Sequence, residues 1–431
     1  MKNSRTVLVG VLVLAAMLSA PRQAVAYSVL AHEANIDALW DATIQPLLAK
    51  KYPRATREQL KQARAFAYGG SVIQDLGYYP FGNHFFSNLL HYVRSGDFIE
   101  TMLHEARDVN EYGFALGALA HYSADNAGHP EAVNRAVALM FPKLRAKYGN
   151  IVTYEQSPAS HIIVEFSFDV LQAASGAYAS EAYHDFIGFE VATPLLERTF
   201  RAVYGLEMNE VFGNQDLAIG SYRHAISNTI PAITRIAWRD KREVIQQLKP
   251  NIAEQRFVFH LSRRDYERDF GRDYQRPGPL TMVLSVLYRL LPKIGPLRPL
   301  KFKAPTPEAE ALFLASFKDT RERYQTALRA VGERRLNLVN TNFDIGKPGG
   351  HGDYALADKT YADLLDRLAD RHFADVPPAL RQNILAYYAA APDKVSGKKE
   401  QKRMPKIRVQ LSTLKSQVSS LRDSGTLRLE P

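Results

Sequence analysis

The stretch that decides the fold is Ala115-Leu-Gly-Ala-Leu-Ala-His121-Tyr-Ser-Ala-Asp125-Asn-Ala-Gly-His129-Pro-Glu-Ala-Val-Asn134. An apolar helical run leads into three metal-binding side chains at four-residue spacing. Because an α-helix turns by about 100° per residue, His121 and Asp125 are expected on one helix face. The glycine and proline around His129 predict that the helix ends there, which would turn the second imidazole toward a different metal.

The chain contains three His-x-x-x-Asp/Glu pairs, whereas its composition alone would give roughly one such pair. The three pairs are His104/Asp108, His121/Asp125 and His161/Glu165. His104 lies in a charged run and is interpreted as part of a solvated helix face. The other two pairs are surrounded by apolar residues, where an unpaired carboxylate is expensive to bury. Each pair therefore needs a partner, which is a metal ion in one interpretation and an arginine or hydroxyl in the other.

The amino terminus has the pattern of a secretory signal peptide over residues 1–26. The first five residues carry a net positive charge. A short apolar run follows, and then Ala24-Val-Ala26, a small-x-small cleavage signal. The apolar run is too short to span a membrane, and a chain without cysteine has no lipoprotein attachment site. We therefore expect a secreted or periplasmic protein whose mature chain begins at Tyr27.

A mature start at Tyr27 would place a free amine and a carbonyl five residues before His32. This arrangement resembles the zinc-dependent phospholipase C and S1/P1 nuclease superfamily, whose mature chains begin with an aromatic residue, usually Trp, that binds zinc through its backbone. The resemblance covers about 27–165 and continues in family order through four segments, namely Gly69–Pro80, Asn83–Phe86, His121–His129 and the His161/Glu165 pair. The Asp-x-x-x-His spacing is that of the phospholipase C branch, including the catalytic region of glycosylphosphatidylinositol-specific phospholipase D; the nucleases have a longer gap.

The resemblance implies up to three zinc ions. The first would be held by Asp75, His84, His121 and Asp125; the second by Tyr27, His32 and Asp125; the third by His129, His161 and Glu165. Asp125 would bridge the close pair. His91 is a rival for His84, because nucleases carry a similar Leu-His-Tyr at that ligand, but the Asn-His-Phe-Phe context favours His84.

The implied activity is phosphodiester hydrolysis by zinc-activated water, with Asp75 and Asp125 as catalytic residues and a phospholipid or membrane surface as substrate. Diacylglycerol and a phosphorylated head group would be the products. One alternative is an S1/P1-like nuclease or nucleotidase acting on nucleic acid. Another is a non-catalytic, zinc-stabilised protein that binds lipid or another surface. No obligate protein partner is evident.

The apolar spacing predicts an all-α protein, with a helical catalytic domain over 27–275 and a smaller helical region over 308–392. Predicted helices cover 33–50, 56–68, 97–122, 131–148, 160–174, 181–204, 216–248, 307–331, 357–373 and 376–391. Seven prolines make 276–307 the predicted linker, in which 280–291 has the composition of an interfacial helix or of an ordinary core helix.

The net charge of +10 is concentrated at the carboxyl end. The predicted tail 393–431 has ten Lys/Arg against four Asp/Glu, and residues 1–26 carry three Lys/Arg and no acidic residue, so the catalytic body between them is near neutral. A near-neutral body argues against a protein-wide field for binding nucleic acid. The tail is interpreted as a basic, disordered end, and the glycine-rich stretch 342–353 as a structural loop.

Overall fold

The computed structural model describes residues 29–175, 190–225, 242–243, 246–247, 303–389 and 398–423. Within these residues the chain is helical and contains no β-strand, apart from one isolated antiparallel bridge between Asn342 and Lys347. The predicted all-α class is therefore confirmed. The signal peptide, Tyr27 and the segment 280–291 lie outside the described residues.

The helices follow in chain order. They are α1 (Val29–Leu39), α2 (Gln45–Lys51), α3 (Arg57–Gly70), α4 (His84–Tyr92), α5 (Ser95–Glu105), α6 (Val109–Gly128), α7 (Asn134–Met140), α8 (Pro142–Tyr148), α9 (Pro158–Ser175), α10 (Thr193–Tyr204), α11 (Met208–Val211), α12 (Gln215–His224), α13 (Pro307–Gly332), α14 (Ala355–Asp370), α15 (Pro378–Ala389) and α16 (Lys398–Asp423). The described residues also form two π-helical turns, Trp40–Ile44 and His129–Val133, and a 3-10 turn, Ile73–Tyr78.

Local sequence signals explain where the observed helices differ from the predicted ones. The expected helix over 97–122 is two helices, because the Asp108 side chain accepts hydrogen bonds from the backbone N–H groups of Asn110 and Glu111 and so caps a new start. Pro142 likewise begins a second helix within 131–148. Helix α4 was not predicted; it begins at His84, where the Asn83 side chain accepts a hydrogen bond from the backbone N–H of Phe85.

Helices α3 and α6 pack against each other at glycines. A methyl group built on Gly117 would lie 2.0 Å from the carbonyl oxygen of Ala67, and one on Gly70 would lie 2.0 Å from that of Phe114. The two backbones therefore touch, which only glycine permits. Since His121 lies one turn beyond Gly117, this contact also sets the position of the first metal-binding side chain of α6.

We expect Gly117→Ala to lower the free energy of unfolding by about 3 kcal/mol, because the added methyl group must push the two helices apart. Urea unfolding followed by circular dichroism measures this loss. Gly213→Ala is the matched control, since no atom lies within 4 Å of its added methyl group. Equal stabilities of the two variants would show that the helices separate without cost.

The C-terminal helices share the core of the preceding helices. The Tyr324 hydroxyl of α13 donates to the carbonyl of Leu116 in α6 at 2.9 Å, and Phe313 stacks on Phe168 of α9. Helix α13 therefore packs directly on α6, the helix that carries His121 and Asp125.

The segment 398–423 forms helix α16, although the sequence indicated a disordered tail. Met404, Ile407 and Leu414 are buried. On α14, Asp363 and Asp366 accept hydrogen bonds from Arg403, each at 2.7 Å. Arg403, one of the basic residues of this segment, therefore holds α16 against α14. Among the described residues, no helix combines the length and apolarity needed to cross a bilayer.

Candidate metal centre

Eight buried side chains from six elements converge in three groups. The groups are His32, His121 and Asp125; Asp75, His91 and His121; and His129, His161 and Glu165. Within each group the ligand atoms lie within 4.8 Å of one another. Helix α6 supplies His121 and Asp125, which share a face as the four-residue spacing predicts. The side chains are contributed by α1, the 3-10 turn, α4, α6, the π turn after α6, and α9.

Asp125 lies at the centre of the three groups. Its Oδ2 is 2.9 Å from Nε2 of His121 and 3.4 Å from Nε2 of His91. Its Oδ1 is 3.5 Å from Nε2 of His32 and 3.8 Å from Nε2 of His129. Each carboxylate oxygen thus faces two imidazoles, an arrangement that allows one side chain to serve two metal ions.

The third group forms where α6 changes its helical type. The α-helix ends at Gly128, as the sequence indicated, but the chain continues as the π turn and then as α7. Pro130 has no N–H and would clash in a regular α-helix, so the wider π turn accommodates it. His129 Nε2 then lies 3.6 Å from Oε1 of Glu165, which is also 2.9 Å from Nε2 of His161.

Three of the imidazoles are anchored through Nδ1. His91 donates to the carbonyl of Ser87 at 2.7 Å, His121 to that of Ser71 at 3.0 Å, and His129 to Oδ1 of Asp344 at 2.8 Å. Because carbonyl and carboxylate oxygens only accept, each Nδ1 carries a proton, and Nε2 is the nitrogen that faces the cluster. This is the arrangement by which proteins orient metal-binding histidines.

The donor set fits zinc. Asp75 and Asp125 are fully buried, yet within the described part of the chain their carboxylate oxygens accept no hydrogen bond of favourable geometry. Burying a carboxylate in this way is costly unless a cation compensates. Ligand atoms about 2.0–2.2 Å from a tetrahedral zinc lie roughly 3.4 Å from one another. Both distances from His91 Nε2, to Asp75 Oδ1 and to Asp125 Oδ2, have this value.

The opposite charges in the cluster act against the effect of burial on their pKa values. Burial would raise the pKa of Asp125, but His121 and His129 hold it well below its usual range. Burial would lower the pKa of His91, but the facing Asp125 and Asp75 carboxylates raise it to about 10. Asp125 therefore remains ionised, as a bridging ligand must be.

The structure places His91, not His84, in the cluster, and this reverses the preference drawn from the sequence. His84 is partly exposed at the start of α4 and packs edge-on against Tyr78, with ring centroids 5.3 Å apart. Burial and the nearby Lys359 lower its pKa. His104, interpreted as a surface residue, is indeed exposed and belongs to none of the three groups.

Two carboxylates near the cluster were missed in the sequence. Asp169 accepts hydrogen bonds from the backbone N–H groups of Leu30 and Ala31, at 2.7 and 3.0 Å, and so fixes the start of the helix that carries His32. Asp169 continues the four-residue spacing of His161 and Glu165 along α9, and this pattern could have indicated it from the sequence. No local pattern indicates Asp344, because it lies 215 residues from His129 in the sequence.

Comparison with known proteins agrees with this geometry. Residues 36–214 match the family model of zinc dependent phospholipase C. Neither the curated proteins nor the solved structures yield a significant match. The matched range includes Asp75, His91, α6 and the third group, but neither His32 nor Asp344. The resemblance noted in the sequence is thus confirmed over this range, in which the chain matches the zinc-dependent phospholipase C family.

Proposed function

We propose that this protein is a zinc-dependent phospholipase C that hydrolyses phospholipids to diacylglycerol and a phosphorylated head group. The observation that carries the proposal is the position of Asp125, whose two oxygens face four imidazoles at the junction of three buried ligand groups. The family is one of phosphodiester hydrolases, which supports this chemistry.

The proposed ligand set follows the resemblance with one change, His91 in place of His84. Asp75, His91, His121 and Asp125 would hold one zinc; Tyr27, His32 and Asp125 the second; His129, His161 and Glu165 the third. Bound zinc would activate water for attack on phosphorus and neutralise the phosphate oxygens.

The side chains of the cluster have separate tasks in this reaction. Asp125 fixes the relative positions of the ligand groups, and Asp75 orients the attacking water or accepts its proton. Because the described ligands are almost fully buried, a cation held by them would act in a medium of low dielectric, where it would stabilise the negative charge that develops on the phosphate oxygens more strongly than in water.

We also propose that the chain is exported and cleaved before Tyr27, so that the new terminal amine becomes a zinc ligand. The hydrogen bonds of Asp169 support this proposal, because they hold the backbone of Leu30 and Ala31 close to the cluster. They restrain the chain three residues after Tyr27, on the helix that places His32 beside Asp125.

The test is metal analysis of a protein that begins at Tyr27, combined with hydrolysis assays on phosphatidylcholine, phosphatidylinositol and single-stranded DNA. We expect two or three tightly bound zinc ions and release of diacylglycerol. Cleavage of DNA without cleavage of lipid would identify a nuclease instead. Zinc binding without turnover of any substrate would identify a non-catalytic protein, and fewer than two zinc ions would refute the cluster.

Adding one residue before Tyr27 should remove one zinc ion and most of the activity, because the terminal amine becomes a peptide nitrogen. Metal content and initial rates measure both effects. The control is the same protein carrying a removable extension, in which proteolysis back to Tyr27 should restore zinc and activity. An extended protein with full zinc content would show that the amine is not a ligand.

A further inference from the structure

The glycine-rich loop between α13 and α14 reaches the cluster from outside the range that matches the family. Phe343 packs against the rings of His91 and His121, with centroids 5.2 and 6.1 Å away. Its backbone N–H donates to the carbonyl of His91 at 3.2 Å. The sequence predicts a structural loop, and these contacts show that the loop packs against two of the candidate metal ligands.

Asp344 is the charged residue of this loop that touches a candidate ligand. Its Oδ1 accepts the hydrogen bond from Nδ1 of His129. Its Oδ2 accepts hydrogen bonds from the hydroxyls of Tyr92 at 2.7 Å and Tyr354 at 2.6 Å. The side chain is only 2% exposed, so these three donors replace the water that an ionised carboxylate would otherwise bind.

The backbone of the loop is fixed on both sides of Asp344. The side-chain amide of Asn134 donates to the Asp344 carbonyl at 2.8 Å, and the Asp344 N–H donates to the side chain of Asn342 at 3.0 Å. Gly346 has a φ of +66°, and a methyl group there would lie 2.7 Å from the ring of Pro130. The carboxylate is thus held rigidly against the π turn that carries His129.

We propose that Asp344 is the positioning residue of the third zinc site, so that this site depends on a part of the chain beyond the family domain. Asp344 keeps the proton of His129 on Nδ1 and directs Nε2 toward Asp125 and Glu165. His91 and His121 are anchored by neutral carbonyls, whereas His129 is anchored by a carboxylate. The carboxylate raises the basicity of the imidazole, which makes its Nε2 a stronger ligand for a metal. This inference rests on the proposed zinc cluster.

Asp344→Asn should lower the affinity of the third site for zinc by about 10- to 100-fold, while the other two sites bind zinc as before. Asparagine keeps the volume and an acceptor oxygen for His129 but removes the charge. Competition with a chromophoric zinc chelator measures the stepwise affinities independently of activity. We expect kcat to fall and KM to stay nearly constant, because the two remaining sites still bind the phosphate.

Asp358→Asn is the matched control. Asp358 is equally buried in the same region and accepts hydrogen bonds from Tyr387 and from the backbone of Gly352, but it belongs to none of the three ligand groups. It should lower stability without changing any zinc affinity. Tyr354→Phe, which removes one donor to Asp344 and keeps its charge, should give a smaller effect than Asp344→Asn.

A double-variant cycle shows whether Asp344 acts through His129. In a His129→Ala background, Asp344→Asn should have no further effect on zinc affinity. If Asp344→Asn binds all zinc ions as the unaltered protein does, or if Asp358→Asn weakens zinc equally, the positioning role is refuted while the cluster stands. Failure of the unaltered protein to bind zinc would refute the proposed function itself.

Discussion

Replacing Asp125 by alanine is expected to lower kcat/KM by roughly 10³-fold, equivalent to about 4 kcal/mol of transition-state stabilisation, and to remove at least one zinc ion. The two carboxylate oxygens of Asp125 face four imidazoles. Without the carboxylate, four histidines lose the anionic side chain that they share, and the ligand set loses a negative charge. Steady-state kinetics and metal analysis of the same preparation measure both effects.

Asp37→Asn provides the control for Asp125→Ala. Asp37 is a buried carboxylate on α1, the helix of His32, and it pairs with Arg64 and Tyr68 rather than with the cluster. Its neutralisation should lower stability but leave zinc content unchanged, because no candidate ligand contacts it. If Asp125→Ala keeps its full zinc content and loses activity only as far as Asp37→Asn does, Asp125 is not a bridge.

His91→Ala is expected to lower kcat/KM by at least about 10²-fold, because even groups that only support a metal ligand contribute 10- to 100-fold. The reason is the position of its Nε2 atom, which lies 3.4 Å from both Asp75 and Asp125. Loss of zinc should accompany the loss of activity. Metal content and phospholipid hydrolysis at saturating and limiting substrate are the measurements.

His84→Ala is the matched control on the same helix, and it should change kcat/KM by no more than about twofold. His84 contacts Tyr78 and belongs to none of the ligand groups. A greater loss of zinc in His84→Ala than in His91→Ala would restore the ligand set drawn from the sequence.

The choice between these two histidines shows what the sequence could not determine. His84 and His91 are seven residues apart, which places them on the same face of α4. They differ by about 10 Å along the helix axis, and only packing decides which end meets the cluster. By contrast, the pairs His121/Asp125 and His161/Glu165 are set by local helix geometry, so their convergence could be predicted.

Long-range contacts and mixed patterns account for the remaining differences. Asp344 reaches His129 through a loop whose path has no local signature, so neither spacing nor composition pointed to it. In α16, the buried Met404, Ile407 and Leu414 recur at helical intervals, but the surrounding basic residues gave the segment the composition of a disordered tail. The helical class was predictable because apolar periodicity is a local property.

The spread of the ligands along the chain has a consequence for folding. The cluster joins α1, the 3-10 turn, α4, α6 and α9, which are distant in sequence. Metal ions bound there would together close several loops, so the unfolded chain would lose conformational freedom as it does when covalent cross-links form. In a chain without cysteine, the reactive centre would then also be the tether that holds the helices in their native order.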